Sequence, residues 1–183
     1  MKNNKTRNFA FIGVMAALVF VTTKFMSIPI PVGAGKTSLH LGNVMCILSG
    51  LLFGPVNGGL AAGIGSMIVD LTDPLWAPEF WVTFIMKFVM GFVAGLVSHL
   101  GKQTKFKTTA AAVLGAVSYV FCYLSKNYIQ EAILMKQPWE TVSALLVTKG
   151  ITSLTNALIA MVVSVLLFNM LQPALKRANI LKE

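Results

Sequence analysis

Charge is what this chain has least of. Charged residues make up 11% of its 183 positions, against ~25% in ordinary soluble domains. Only six carboxylates and two histidines occur in the whole sequence, too few and too scattered for the clustered acids, bases and ligands that catalysis or metal binding needs. The two cysteines, Cys46 and Cys122, stand singly inside apolar runs. Neither has metal-ligand or disulfide spacing, so both read as small buried hydrophobes. No His-Glu-x-x-His or Gly-x-Ser-x-Gly run is present, which removes the common zinc-peptidase and serine-hydrolase readings. The chain is not expected to be an enzyme.

Apolar residues, by contrast, make up 56% of the chain. One soluble domain of this length cannot bury that much apolar surface, so the bilayer is the better solvent. The net charge of +9 would suggest nucleic acid in a soluble protein. Here the cations gather at the ends of apolar runs. The N-terminus, basic and then apolar, mimics a signal peptide. No small-x-small cleavage site follows, and further spanning segments do, so cleavage is not expected.

Six spans are predicted within a single membrane domain, residues 1–183: Asn8–Met26, His40–Phe53, Gly59–Leu71, Phe80–Leu100, Thr108–Tyr128 and Val142–Leu171. The second and third fall short of the ~20 residues of a full crossing. They read as two short tilted helices rather than one re-entrant hairpin, joined by the turn Gly54-Pro55-Val56-Asn57-Gly58. Lys2, Lys5, Arg7, Lys102, Lys105, Lys107, Lys176, Arg177 and Lys182 then share one side. By the excess of Lys and Arg that side is cytoplasmic, and it holds both termini. The fold class expected is an all-α membrane protein of six transmembrane helices.

Two lysines interrupt this pattern. Lys87 and Lys149 lie well inside predicted spans, where a cation costs about 2.5–3.5 kcal/mol on insertion scales and by default marks a function. Thr83 precedes Lys87 by four residues, with Trp81 near the outer end of the same span. The sixth span carries Lys149, Thr152, Ser153 and Asn156, one helix face. The fifth carries Tyr119, Tyr123, Lys126 and Asn127 at similar spacing. Lys87 is about 10 Å from Phe80 along its helix, and Lys149 about 12 Å from Thr141, so the stripes share a depth. His40 and Asn43 open the second span and Asp70 closes the third at that height. The expected substrate site is therefore Lys87, Lys149, Asn156, Thr83, Tyr123, Asn127, His40, Asn43, Asp70 and Trp81. Two lysines against one acid leave surplus positive charge for a ligand with acceptor groups. The competing reading has the lysines paired with Asp70 or backbone carbonyls.

Between the first two spans, Ser27–Leu39 contains Gly35-Lys36-Thr37, the tail of a phosphate loop without its first glycine: Ile30 stands there. It reads instead as a mobile outer loop over the pocket. Small residues recur at helical spacing in Gly13-x-x-x-Ala17, Gly59-x-x-x-Gly63 and Gly91-x-x-x-Gly95, where helix backbones can approach closely. Gly13 and Ala17, on a peripheral first helix, suit an external partner.

Taken together, the Gly13–Ala17 strip, the run Ser38–Asp73 (SLHLGNVMCILSGLLFGPVNGGLAAGIGSMIVDLTD) and Phe84–Gly95 resemble the substrate-binding S components of energy-coupling factor (ECF) vitamin transporters. Within that family the chain looks like the riboflavin-transporter-type branch, nearest the hydroxymethylpyrimidine and pyridoxine transporters. The resemblance implies a multi-pass protein of a bacterial cell membrane that captures a B vitamin or precursor at the outer face. It also implies a membrane T component, docked through a small-residue motif that has Gly13 where alanine is usual, and two cytoplasmic ATPases that hydrolyse ATP. The chain itself would hold no cofactor. The alternative is a stand-alone secondary transporter or channel.

Overall fold

The computed structural model describes residues 2–32, 35–178 and 180. Helix α1 (Lys2–Phe25) leads into a hairpin of β1 (Ser27–Val32) and β2 (Gly35–His40), followed by α2 (Gly42–Leu71), α3 (Phe80–His99), α4 (Lys105–Tyr128) and α5 (Trp139–Arg177). A single 3-10 turn, Ala77–Glu79, precedes α3, and a π-helical turn, Ile129–Leu134, extends α4. Among the described residues, five helices are long and apolar enough to cross a membrane.

Six separate spans were expected, but the second and third are the two limbs of α2. The chain reverses at Gly54, where φ is 80° and ψ is −177°. Only glycine takes that φ cheaply, and Pro55 pushes the residue before it out of the helical region. The limbs then return against each other. Ser49 Oγ donates to the Gly58 carbonyl at 3.0 Å, and a Cβ built on Gly58 would lie 2.4 Å from the Gly50 Cα. Gly91 of α3 closes the same seam, its missing Cβ 2.8 Å from the Gly58 carbonyl oxygen. Two limbs and one helix thus meet backbone to backbone.

The β-hairpin is a second departure, because the all-α expectation made Ser27–Leu39 an irregular loop. The strands pair antiparallel, Ser27 with His40 through Val32 with Gly35. Pro29 and Pro31 alternate along β1, so both missing N–H groups fall on the same, unpaired edge, where proline is tolerated. Gly33, at the turn, lies outside the described residues. His40, expected to open the second span, ends β2 instead.

The bundle has two chemically distinct ends. At one, Phe11 stacks on Phe53 with centroids 4.7 Å apart, His99 lies beside Gly54, and Gln172 Nε2 donates to Gln103 Oε1 at 2.6 Å. These contacts gather the start of α1, the α2 bend, the α3–α4 loop and the end of α5. At the other end the hairpin meets the α2–α3 connection through a Lys36–Asp73 ion pair, and Lys126 of α4 pairs with Glu79 of that same connection. The core between is small and apolar, with Val19, Ile47, Leu51, Met90, Ala112, Ala116 and Ala160 buried. Val147, Ile151, Leu154, Leu158, Val162 and Leu166 of α5 recur every three or four residues on its exposed face, a lipid-facing stripe.

Candidate functional site

A cavity of about 550 Å³ opens at the hairpin end, walled by α3, α4, α5, the second limb of α2 and β2. Its floor is set by Lys87, which is 4% exposed. The Lys87 ammonium donates a short hydrogen bond to Asn43 Oδ1 and lies 3.6 Å from the centroid of the Tyr119 ring. An amide oxygen and an aromatic face replace water around this cation. Among the described residues no carboxylate makes an ion pair with it. Asp70 and Thr83 line the cavity nearby.

Lys149 is held differently. Its Nζ donates to Asn127 Oδ1 at 2.5 Å and lies 3.9 Å from Glu131 Oε1. Asn127 Nδ2 in turn donates to the Tyr123 carbonyl at 2.7 Å, fixing the amide. Tyr119 and Tyr123 stack one turn apart, centroids 5.8 Å and planes 20° apart, and both line the cavity. They offer edges and faces to a flat ligand.

The hairpin forms the roof. Asn156 of α5 takes the His40 N–H on Oδ1 at 3.0 Å and gives Nδ2 to the Ser38 carbonyl at 2.8 Å. Thr37 Oγ1 lies 3.3 Å from the Tyr123 hydroxyl. Lys36 pairs with Asp73 at 2.7 Å and sits 4.8 Å from the Trp76 ring centroid. Beside Lys36 the Asp73 carboxyl is held below its usual range. His40 Nδ1 accepts from the Gly42 N–H at 3.2 Å. Burial first, and the Lys87 charge second, push the His40 imidazole down to about 3, so it is neutral near neutral pH.

Of the residues expected from sequence, Lys87, Lys149, Asn156, Thr83, Tyr123, Asn127, His40 and Asp70 all line this cavity. Asn43 does not: it is fully buried beneath the wall, with Lys87 between it and the space. Trp81 is 57% exposed and away from the wall. It precedes Thr83 by two residues, about 200° around the helix, so the face that points Thr83 and Lys87 inward turns Trp81 out. Trp76, in the α2–α3 connection, lines the cavity. Lys36, Glu79, Lys126 and Glu131 do so as well. The surplus of positive charge argued from two lysines and one acid therefore does not hold. Lys36, Lys87, Lys126 and Lys149 face Asp70, Asp73, Glu79 and Glu131, and the site is close to balanced. Gln130 and Glu131 were legible in principle, three and four residues beyond Asn127 on the same stripe; ending the span at Tyr128 cut them off. Trp76 and Glu79 sit in a connection with no periodicity to read. Among the described residues no group of three or more His, Cys, Asp and Glu is placed to hold a metal ion.

A family model for the S component of ECF-type riboflavin transporters matches residues 3–173. The chain belongs to that family. A solved S component of a bacterial ECF transporter is similar in fold, with a TM-score of 0.71 over 94% of this chain and 99% of that one, at 19% identity. Among curated sequences, an uncharacterized protein of Pyrococcus woesei is 45% identical over 60 residues, 32% of this chain and 39% of that one. A UPF0397 protein of Lactiplantibacillus plantarum is 35% identical over 78 residues, 41% of each chain. One of Streptococcus thermophilus is 36% identical over 70 residues, 38% of this chain and 37% of that one. The chain thus spans about two-fifths of the length of the curated relatives it matches. For this S-component family member, Gly13 and Ala17 lie on the outer surface of α1: Ala17 is exposed, and nothing comes within 4 Å of a Cβ built on Gly13.

Proposed function

We propose that this chain is the substrate-binding subunit of an ATP-driven ECF-type importer. The observation that carries the reading is the roofed, charge-balanced cavity at the hairpin end of a membrane bundle in a chain of this family. The basic end, with Lys5, Arg7, Lys102, Lys105, Lys107, Lys176 and Arg177, is the cytoplasmic one by the excess of Lys and Arg. Both termini then lie inside, the α2 limbs count as two short crossings of a six-segment topology, and the cavity faces out in a bacterial cell membrane. A T component docks on the Gly13–Ala17 strip, and two cytoplasmic ATPases hydrolyse the ATP.

The ligand class follows from the wall. Stacked tyrosines and Trp76 suit a planar ring. Lysines matched by carboxylates suit a neutral ring with several hydrogen-bonding substituents rather than a phosphorylated one. A B vitamin or precursor fits both demands, with hydroxymethylpyrimidine or pyridoxine the best match. Purified protein should carry a small heteroaromatic molecule that mass spectrometry of the extracted ligand identifies. It should bind that compound alone and transport it only with a T component and ATPases. Transport by the isolated chain in proteoliposomes would refute the reading.

A further inference from the structure

Two polar groups on the cavity wall have no hydrogen-bond partner among the described residues: Ser153 Oγ and Gln130 Oε1. Ser153 is 3% exposed. Buried polar atoms are nearly always paired, and each exception needs an explanation. Several neighbouring groups on the wall have partners within the protein. Lys149 is taken by Asn127, Lys126 by Glu79, and Asn156 by the β2 backbone. Even Lys87 rests on Asn43 and Tyr119.

The two orphans come from different elements of the wall, the π-helical turn after α4 and helix α5. Lys149 is level with Asn127 and Glu131, which it touches, and Gln130 adjoins Glu131 in the π-helical turn, a geometry frequent at functional sites. Ser153 lies one turn further down α5, about 6 Å deeper. The amide oxygen of Gln130 only accepts, whereas the serine hydroxyl donates or accepts.

We propose that Gln130 and Ser153 determine substrate specificity, reading opposite edges of one planar heterocycle. The edge toward Gln130 carries an N–H or O–H donor; the edge toward Ser153 carries a hydroxyl, an amine or a ring nitrogen. The proposal rests on the substrate-binding role given above and adds to it the polarity of each edge of the ligand. It also adds two uncharged groups to the lysines already placed on the wall.

The test uses Ser153→Ala, Gln130→Met and the double variant of the full chain in detergent, with hydroxymethylpyrimidine, pyridoxine and riboflavin as probes. Neither group bonds within the protein, so the unliganded Tm should stay level or rise. The Kd of the probe that binds wild type best should rise roughly tenfold for each single variant and roughly a hundredfold for the double. Unchanged Kd in both single variants overturns the inference and leaves the substrate-binding reading standing. A lowered unliganded Tm also overturns it, since the groups would then serve the fold. If no probe binds wild type, the heteroaromatic reading falls, and this inference with it.

Discussion

Asn156 binds β2 as a neighbouring strand would, its amide accepting from the His40 N–H and donating to the Ser38 carbonyl. One side chain on α5 thereby ties down a hairpin more than a hundred residues earlier in the chain. Asn156→Leu removes both bonds, each worth about 0.5–1.5 kcal/mol net. Hydrogen exchange of the His40 amide should accelerate, with little change in amides of α2 and α3. Unaltered protection at His40 would mean that packing alone holds the roof.

Lys87 and Asn43 should behave as one unit. Lys87→Met leaves a buried amide oxygen unpaired, and Asn43→Ala strips a buried ammonium of its acceptor. Each should lower stability by about 1–3 kcal/mol. The double variant should lose less than the sum, by 0.5 kcal/mol or more, as contacting residues do. Additive losses in a thermal-denaturation cycle would show the pair to be independent.

Both lysines are also expected to shape ligand affinity. Lys87→Met and Lys149→Met should each weaken binding by about 1.5–3 kcal/mol, the range of a hydrogen bond to a charged group. Isothermal titration of the folded variants measures this directly. Equal affinities would leave both lysines with a packing role.

The His40 imidazole ties roof stability to pH. Its value falls from 6.5 to about 3 in the folded protein, so between those values the unfolded state binds more protons. Stability then rises with pH. The contribution is complete above pH 6.5 and is lost as pH falls toward 3, when protonation also breaks the bond from the Gly42 N–H. Replacing the imidazole in His40→Gln should flatten the dependence of Tm on pH between about 6.5 and 4 relative to wild type. Parallel profiles for the two proteins would contradict the assignment.

Gly13→Trp tests the partner surface. A Cβ on Gly13 meets open space, so the indole projects outward without disturbing the bundle. Pull-down with the T component should fail while the isolated chain keeps its ligand affinity. Normal assembly would remove this strip as the docking surface.

How much of this was legible from the sequence depends on whether a residue repeats. Lys149 and Asn156 sit on a helix stripe, and so do Tyr123, Asn127, Thr83 and Lys87; helical spacing brought them to one cavity. The balance of charge was hidden, because Glu79 and Lys36 arrive from connections whose path only tertiary packing decides. Trp81 misled because proximity in sequence was read without its angle around α3. The β-hairpin escaped notice for a related reason. Prolines and glycines signal a loop, and only the pairing register shows that Pro29 and Pro31 fall on the free edge of a strand. Asn43 reads as a site residue by its height, yet its place under Lys87 depends on the return of α2 at Gly54.

The seam of Gly50, Gly58 and Gly91 divides the protein by its tolerance of sequence change. Where backbone rests on backbone, no side chain can change rotamer to absorb an added methyl, so even alanine there forces two helical segments apart. The outward stripe of α5, at Leu154, Leu158 and Leu166, accepts any apolar residue that lipid accepts. A deep mutational scan should therefore find its strictest positions among residues with no side chain at all, far from the chemistry, and its most permissive among the largest apolar ones.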